Sequence, residues 1–221
     1  MPLPKAIPLD IAVLFGCAIP TGSGIITNTI KPKPGSSIAI FGLGGIGLSA
    51  LMATKLYNLR TIVAIDINNE KLKLAEEFGA THIINAKDAN PLIEIRKITN
   101  GLGIDYSVES SGIAKTIELA FDSVKRNGGL CVFASHPQFG EKICLEPYEL
   151  ICGKNIKGSW GGDSKPDLDI PKFAELYKTG KLPLEKFFSK VYKLEEINEA
   201  LDDLENHRVA RPLIIIDPNI E

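Results

Sequence analysis

Residues 37 to 66 read SIAIFGLGGIGLSALMATKLYNLRTIVAID: a β-branched run, a glycine-rich turn, a stretch of helix formers, a second β-branched run and then an acid. That order predicts strand, turn, helix, strand. Ser37 to Phe41 enters Gly42-Leu43-Gly44-Gly45-Ile46-Gly47, and Leu48 to Leu56 leaves it with apolar positions at helical spacing. In such a turn Gly42 allows a sharp reversal, Gly44 lets backbone approach a pyrophosphate with no Cβ between, and Gly47 lets the helix lie close on the strand. The helix then begins at the phosphate, where its unpaired N–H groups and positive dipole end face negative charge.

A glycine turn of this spacing is a weak signal alone, because twenty glycines in 221 residues produce it in ordinary loops. Here its context is present. The second strand, Thr61 to Ile65, ends on Asp66, nineteen residues past Gly47. A carboxylate about 20 residues on is placed to accept hydrogen bonds from an adenosine ribose. The bland alternative is a glycine-rich loop with a capping aspartate.

The composition is that of an ordinary globular protein, 44% hydrophobic and 24% charged. A chain of this length should bury roughly 70% of its unfolded surface, in one large domain or two small ones. A net charge of −2 and the lack of an arginine-rich run argue against a nucleic-acid partner. No apolar run reaches the ~18 residues that span a bilayer, so no membrane partner is expected. Cys17, Cys131, Cys144 and Cys152 form no C-x-x-C and no short framework, so neither a disulfide scaffold nor a structural zinc site is read, and a cytoplasmic location is expected. Leu14-Phe15-Gly16-Cys17 has the look of a lipoprotein signal's end, but its lead MPLPKAIPLD, with one lysine, three prolines and an aspartate, does not suit one.

Residues 1 to 34 read as lead-in helices. Asp10 is the expected N-cap of IAVLFGCA, Pro20-Thr21-Gly22-Ser23-Gly24 is expected to break the chain, and KPKPG at 31 to 35 is a rigid connector. From 35 to 160 strands and helices alternate, the pattern of a doubly wound, six-stranded parallel sheet covered on both faces. Its later strands are expected at His82 to Asn85, Tyr106 to Glu109, Leu130 to Ala134 and Ile156 to Ser159. The helices are Glu70 to Phe78, Pro91 to Ile98 and Ile113 to Val124. Right-handed crossovers place a cofactor at the carboxyl ends of these strands, beside the first. Residues 161 to 221 form a short α+β segment: helices at Pro171 to Lys178 and Glu195 to Asn206, strands at Phe187 to Leu194 and Pro212 to Ile216. A Tyr-x-x-x-Lys spacing at Tyr177 to Lys181 suggests a rival dehydrogenase chemistry, but Gly180 and Pro183 should end the helix before Lys181 shares a face with Tyr177.

Six stretches resemble, in order, the coenzyme-binding part of zinc-type medium-chain alcohol dehydrogenases: GCAIPTGSG at 16 to 24, FGLGGIGLSA at 41 to 50, AIDINNEKLKLAEEFGATHIIN at 64 to 85, IDYSVESSG at 104 to 112, GKNIKGSWGG at 153 to 162 and EEINEALDDLENHRVARPLIII at 195 to 216. The resemblance implies a Rossmann domain binding NAD. It places Thr21, Gly42, Gly44, Gly45, Gly47, Asp66, Lys71 and Arg211 around that cofactor, with Ile46 on the nicotinamide face. Lysine and arginine suit an anion, though a solvated helix lysine and a strand-leading arginine are the plain alternatives. Cys17 falls on a ligand of the family's catalytic zinc, where its plain alternative is a buried hydrophobe. The remaining ligands belong to a family domain that precedes this segment, so the catalytic residues stay unknown and zinc is expected only if that domain is supplied. Of the histidines, His82 reads as a strand residue, His207 as helix-end surface, and His136 as a neighbour of the nicotinamide or an ordinary loop residue.

The resemblance implies hydride transfer between an alcohol or aldehyde substrate and NAD, with this chain alone binding NAD without turnover. A free-standing NAD-binding module, a redox sensor or a subunit of a complex, is the alternative. A homodimer is expected through an edge strand near Glu141 to Leu145. The apolar faces at 187 to 192 and 212 to 216, which in the family return to the other domain, should be partly bare.

Overall fold

A computed structural model of the protein describes residues 3–188, 190–206, 208–209 and 211–217. Its helices are α1 (Leu9–Ala12), α2 (Ala18–Gly24), α3 (Gly45–Thr54), α4 (Asn69–Glu77), α5 (Pro91–Ile98), α6 (Ala114–Ser123), α7 (Pro147–Ile151), α8 (Pro166–Lys178) and α9 (Ile197–Glu205). The strands are β1 (Ser37–Phe41), β2 (Thr61–Asp66), β3 (His82–Asn85), β4 (Tyr106–Glu109), β5 (Leu130–Phe133), β6 (Asn155–Gly158), β7 (Lys190–Lys193) and β8 (Pro212–Ile215). β1 to β6 make one parallel sheet in the order β3-β2-β1-β4-β5-β6, so the order reverses between β1 and β4. This is the expected doubly wound architecture. β7 and β8 form a separate parallel pair joined through α9.

Alternation along the central strands divides the core into two layers. Ile38 and Ile40 of β1 face one core, shared with α2, α3, α4 and α8, while Ala39 and Phe41 face the other, shared with α5 and α6. α3 is buried almost all round, from Gly47 to Thr54, because α2 covers the side that the sheet does not. Its sequence is accordingly apolar on every face rather than amphipathic.

Two expectations at the amino end are overturned. Asp10 is not a cap: α1 starts at Leu9 behind Pro8, and the Asp10 carboxylate accepts the N–H of its neighbour Ile11 at 2.8 Å, inside the first turn. Nor do residues 20 to 24 break the chain. They are helix α2, which continues as a wider turn over Ile25–Ile30 and ends at Lys31 with φ 50°. Its glycines serve packing. A Cβ on Gly22 would lie 2.1 Å from the Ile46 carbonyl oxygen, and one on Gly24 would lie 2.5 Å from that of Gly162. Pro20 sits in the first turn, where a missing N–H costs no helical bond.

Smaller shifts occur later. α8 begins at Pro166 rather than Pro171 and carries Pro171 inside it, α7 was not foreseen, and β7 is confined to Lys190–Lys193 after a 3-10 turn at Leu184–Phe187. α8 ends at Lys178 and Gly180 takes φ 70°, so Lys181 lies off the helix that carries Tyr177, as expected. The carboxyl-terminal faces are covered in part: Phe187 and Tyr192 are buried, while Val191, Ile215 and Ile216 are bare. The edge strand expected near Glu141 to Leu145 is not formed: residues 141–146 run without helix or strand, and the sheet's edge on that side is β6. Among the described residues no single helix is long and apolar enough to cross a membrane.

Candidate functional site

The carboxyl ends of β1 and β2 open into a cleft of about 620 Å³, walled by the glycine turn, the end of β2, the start of α6 and the segment before β8. Gly42, which begins the turn, has φ 86°, a conformation natural to glycine. A Cβ on Gly47 would lie 1.9 Å from the Gly42 carbonyl oxygen, so this glycine is what lets α3 close onto the turn. Gly44, the N-cap of α3, is different. A Cβ there would meet no protein atom within 4 Å, and Gly44 lines the cleft, so the space beside its backbone belongs to the cleft. Gly45 also lines it, with the Arg211 guanidinium 2.9 Å from its ideal Cβ position. An arginine 166 positions along the chain therefore lies against the turn and the positive end of α3.

Asp66 closes the far end. Its Oδ2 accepts the Leu43 N–H at 2.6 Å, tying β2 to the turn, and its Oδ1 accepts the N–H groups of Ile67 and Asn68 at 2.8 and 2.9 Å. A carboxylate has about four acceptor positions, and among the described residues three are filled, which leaves one on Oδ2. Asn68 caps α4 through the N–H groups of Glu70 and Lys71, which fixes the helix that carries Lys71 to the cleft wall.

Arg211 is positioned from the small β7-α9-β8 unit. The Asp203 carboxylate, near the end of α9, accepts the Tyr192 hydroxyl at 2.6 Å, Arg208 Nε at 2.6 Å and Lys190 Nζ at 3.1 Å. These bonds, Tyr192 first, hold its pKa far below the usual carboxylate range. They pin the chain at 208, three residues before Arg211.

Of the residues singled out in the sequence, Gly42, Gly44, Gly45, Asp66, Lys71 and Arg211 are brought together on this cleft. Gly47 and Ile46 stand behind it in the first turn of α3. Thr21 is buried within α2 and does not line it. Cys17 is an exposed thiol at the start of α2. Among the described residues no three His, Cys, Asp or Glu side chains gather where they could hold a metal. The donor set present therefore does not fit zinc by itself. His136 is exposed and off the cleft lining, its Nδ1 3.1 Å from the Pro137 carbonyl oxygen. His82 lies on β3 as expected, and His207 is outside the described residues.

Sequence reasoning missed the turn Ser110–Gly112. Ser110 donates its hydroxyl to the Gly42 carbonyl at 2.8 Å and its N–H to that of Phe41 at 2.9 Å, so the turn abuts the glycine turn, and Ser110 and Ser111 line the cleft. The available signal was an acid and two serines directly after an apolar strand, in YSVESSG.

A profile of the zinc-binding dehydrogenase family matches residues 45–179. Alcohol dehydrogenase 2 of Zea mays is 37% identical over 197 residues, which make up 88% of this chain and 52% of that protein. Alcohol dehydrogenase 1 of Pisum sativum is 35% identical over the same shares. The chain thus spans about half the length of these relatives. Among solved structures, benzyl alcohol dehydrogenase from Acinetobacter calcoaceticus superposes with a TM-score of 0.91 at 33% identity, covering 97% of this chain and 59% of that one. An alcohol dehydrogenase zinc-binding domain protein from Burkholderia ambifaria gives 0.90 at 35%, covering 97% and 58%.

Proposed function

This chain belongs to the zinc-binding dehydrogenase family, and on that premise we propose that it is the NAD-binding part of an alcohol or polyol dehydrogenase, which passes hydride between an alcohol and NAD. The observation that carries the reading is a single cleft uniting a glycine turn with open space at Gly44, the Arg211 guanidinium over Gly45, and Asp66 at the end of the neighbouring strand. The middle of that cleft suits a pyrophosphate: the head of α3 and Arg211 supply positive charge, and Gly44 leaves the backbone bare. The end by Asp66 suits an adenosine ribose, with the free acceptor position of Oδ2 for the 2′-hydroxyl. A 2′-phosphate there would meet a carboxylate, which favours NAD over NADP. Bound NAD supplies the hydride acceptor; this chain's residues grip its phosphates and ribose and so orient the ring.

Taken alone, the chain binds NAD and does not turn over alcohols, since Cys17 is one thiol where a catalytic zinc needs three protein ligands and an open position. The test is zinc analysis of the purified chain together with NADH formation over a panel of alcohols. Stoichiometric zinc and turnover, both abolished in Cys17→Ser, would overturn this half of the reading. A second reading, a free-standing NAD-binding module, is favoured by one observation: Phe187 and Tyr192 are buried within the chain itself. A homodimer is the assembly we propose, supported by β6 as an edge strand with Ile151 and Trp160 exposed on either side of it in sequence.

A further inference from the structure

Glu109 ends β4, the strand beside β1 at the reversal of the sheet order, and its side chain is wholly buried. Its Oε1 accepts the Ser111 N–H at 2.8 Å, the Gly112 N–H at 3.2 Å and the Ser111 hydroxyl. Its Oε2 is buried with no hydrogen-bond partner among the described residues. The three donors hold the 110–112 turn in place, and that turn meets the glycine turn: the Ser111 nitrogen lies 3.0 Å from the ideal Cβ position of Gly42. A carboxylate thus stands directly beneath the wall over which a pyrophosphate would lie.

A buried carboxylate with one unmatched oxygen is a costly charge, and the neutral acid is the easier form to keep there. Burial raises the Glu109 pKa, against the opposing pull of Ser111 and Gly112. The segment after β5 packs on the same turn, with the His136 carbonyl oxygen 3.1 Å from the ideal Cβ position of Gly112, so one exposed imidazole belongs to the surroundings and Glu109→Gln is the variant that separates its protons from those of Glu109. The facing positions on β1 and β5 are Phe41 and Phe133. Cys131 on β5 interacts with Glu109, but its own thiol is pushed up to about 12, by burial first, and stays neutral. On α6, packed against β4, Lys115, Glu118 and Asp122 interact with one another and with Cys144, Glu149 and Lys154. Among the described residues, Asp66, Lys71 and Arg211 are the charged groups on the cleft itself.

We propose that Glu109 is a positioning residue of the dinucleotide cleft that is protonated in the loaded state, so that cofactor binding draws one proton from solvent onto its carboxylate. The proposal rests on the dinucleotide reading of the cleft. The balance is simple: Glu109 carboxylate plus one solvent proton gives the carboxylic acid, and nothing is oxidised or reduced. A dianionic pyrophosphate over the 110–112 turn disfavours a second anion beneath it, which raises the Glu109 pKa further on binding. Affinity is then independent of pH below the free-state pKa. Above it, affinity falls by up to tenfold per pH unit until the loaded-state pKa is passed.

The test is calorimetric titration of the full chain with NADH in buffers of different ionisation enthalpy, over a pH range of about 5 to 8. Net proton uptake on NADH binding is expected within that window, larger the further apart the free and loaded states titrate. It should vanish in Glu109→Gln, which keeps an oxygen for the turn but cannot titrate. Ser111→Ala removes a donor that favours the charged form, so its uptake window should move to higher pH; if Glu109→Gln does not fold, an unmoved window in Ser111→Ala overturns the proposal. NADH binding without proton uptake, or with uptake unchanged in Glu109→Gln, overturns it while leaving the dinucleotide reading intact. Failure of the folded wild-type chain to bind NADH removes both.

Discussion

Exchanging Gly44 and Gly47 for alanine, one at a time, separates binding from folding within a single turn. A Cβ at position 47 would stand 1.9 Å from the Gly42 carbonyl oxygen and 2.7 Å from Ser110 Oγ. Ordinary carbon contacts lie near ~3.5 Å, so α3 must lift off the turn by more than an ångström or the turn must open. Overpacking on this scale costs about 3 kcal/mol. For a chain of this size that lowers Tm by roughly 6 to 12 °C. At position 44 the same methyl meets nothing within 4 Å, and φ −78°, ψ −165° is an extended conformation that alanine adopts freely. The fold should lose no more than about 1 kcal/mol, from a poorer N-cap. NADH should suffer instead: a methyl between backbone and pyrophosphate should cost ~1–3 kcal/mol, roughly 5- to 150-fold in Kd. Thermal unfolding by circular dichroism and NADH titration by calorimetry read the two quantities. Gly44→Ala binding NADH like the wild type would remove the pyrophosphate from that backbone, and Gly47→Ala as stable as the wild type would refute the packing argument.

Replacing Asp66 by serine should weaken NADH binding by about 1.5–3 kcal/mol, the worth of a charge-assisted bond, and shrink its advantage over NADPH; an unchanged ratio in paired titrations would disconnect Asp66 from the ribose. Gly22→Ala, with its Cβ 2.1 Å from the Ile46 carbonyl oxygen, should destabilise the α2-α3 crossing by about 3 kcal/mol in urea unfolding, and a neutral result would mean that the two helices do not pack so closely. Arg126 first, then Lys154, holds the Glu149 pKa down from its ordinary 4.5 to about 2. A depressed carboxylate stabilises the fold fully above its unfolded pKa and loses that contribution as pH falls through the folded one. Stability should therefore drop between about pH 4.5 and 2 more steeply in the wild type than in Glu149→Gln, and identical acid profiles would discount the pair.

Most of the alternation of strand and helix from residue 37 to 158 was legible because β1 and β2 are rich in β-branched residues and helices such as α4 carry their own stop, Gly79; α7, five residues between β5 and β6, was not. Asp66 and the glycine turn were legible for the same reason: their spacing is local. Helix α2 was not. Its Pro-Thr-Gly-Ser-Gly composition is that of a loop, and only the approach of Ile46 and Gly162, distant in sequence, shows why small residues stand there. Arg211 came from resemblance, since no local pattern brings residue 211 against Gly45; in three dimensions it lies between Arg208, held by Asp203, and Pro212, paired with Lys190 on β7. Glu109 read as a strand end, and its burial with an unmatched oxygen appears only once β1 and β5 flank it.

The most direct trial of the cleft as an NAD site is titration of the wild-type chain with NADH and NADPH, followed by energy transfer from Trp160, the single tryptophan, and by calorimetry. Saturable binding of one NADH per chain, tighter than NADPH, is the predicted result; no saturation by NADH, or tighter binding of NADPH, would contradict the account.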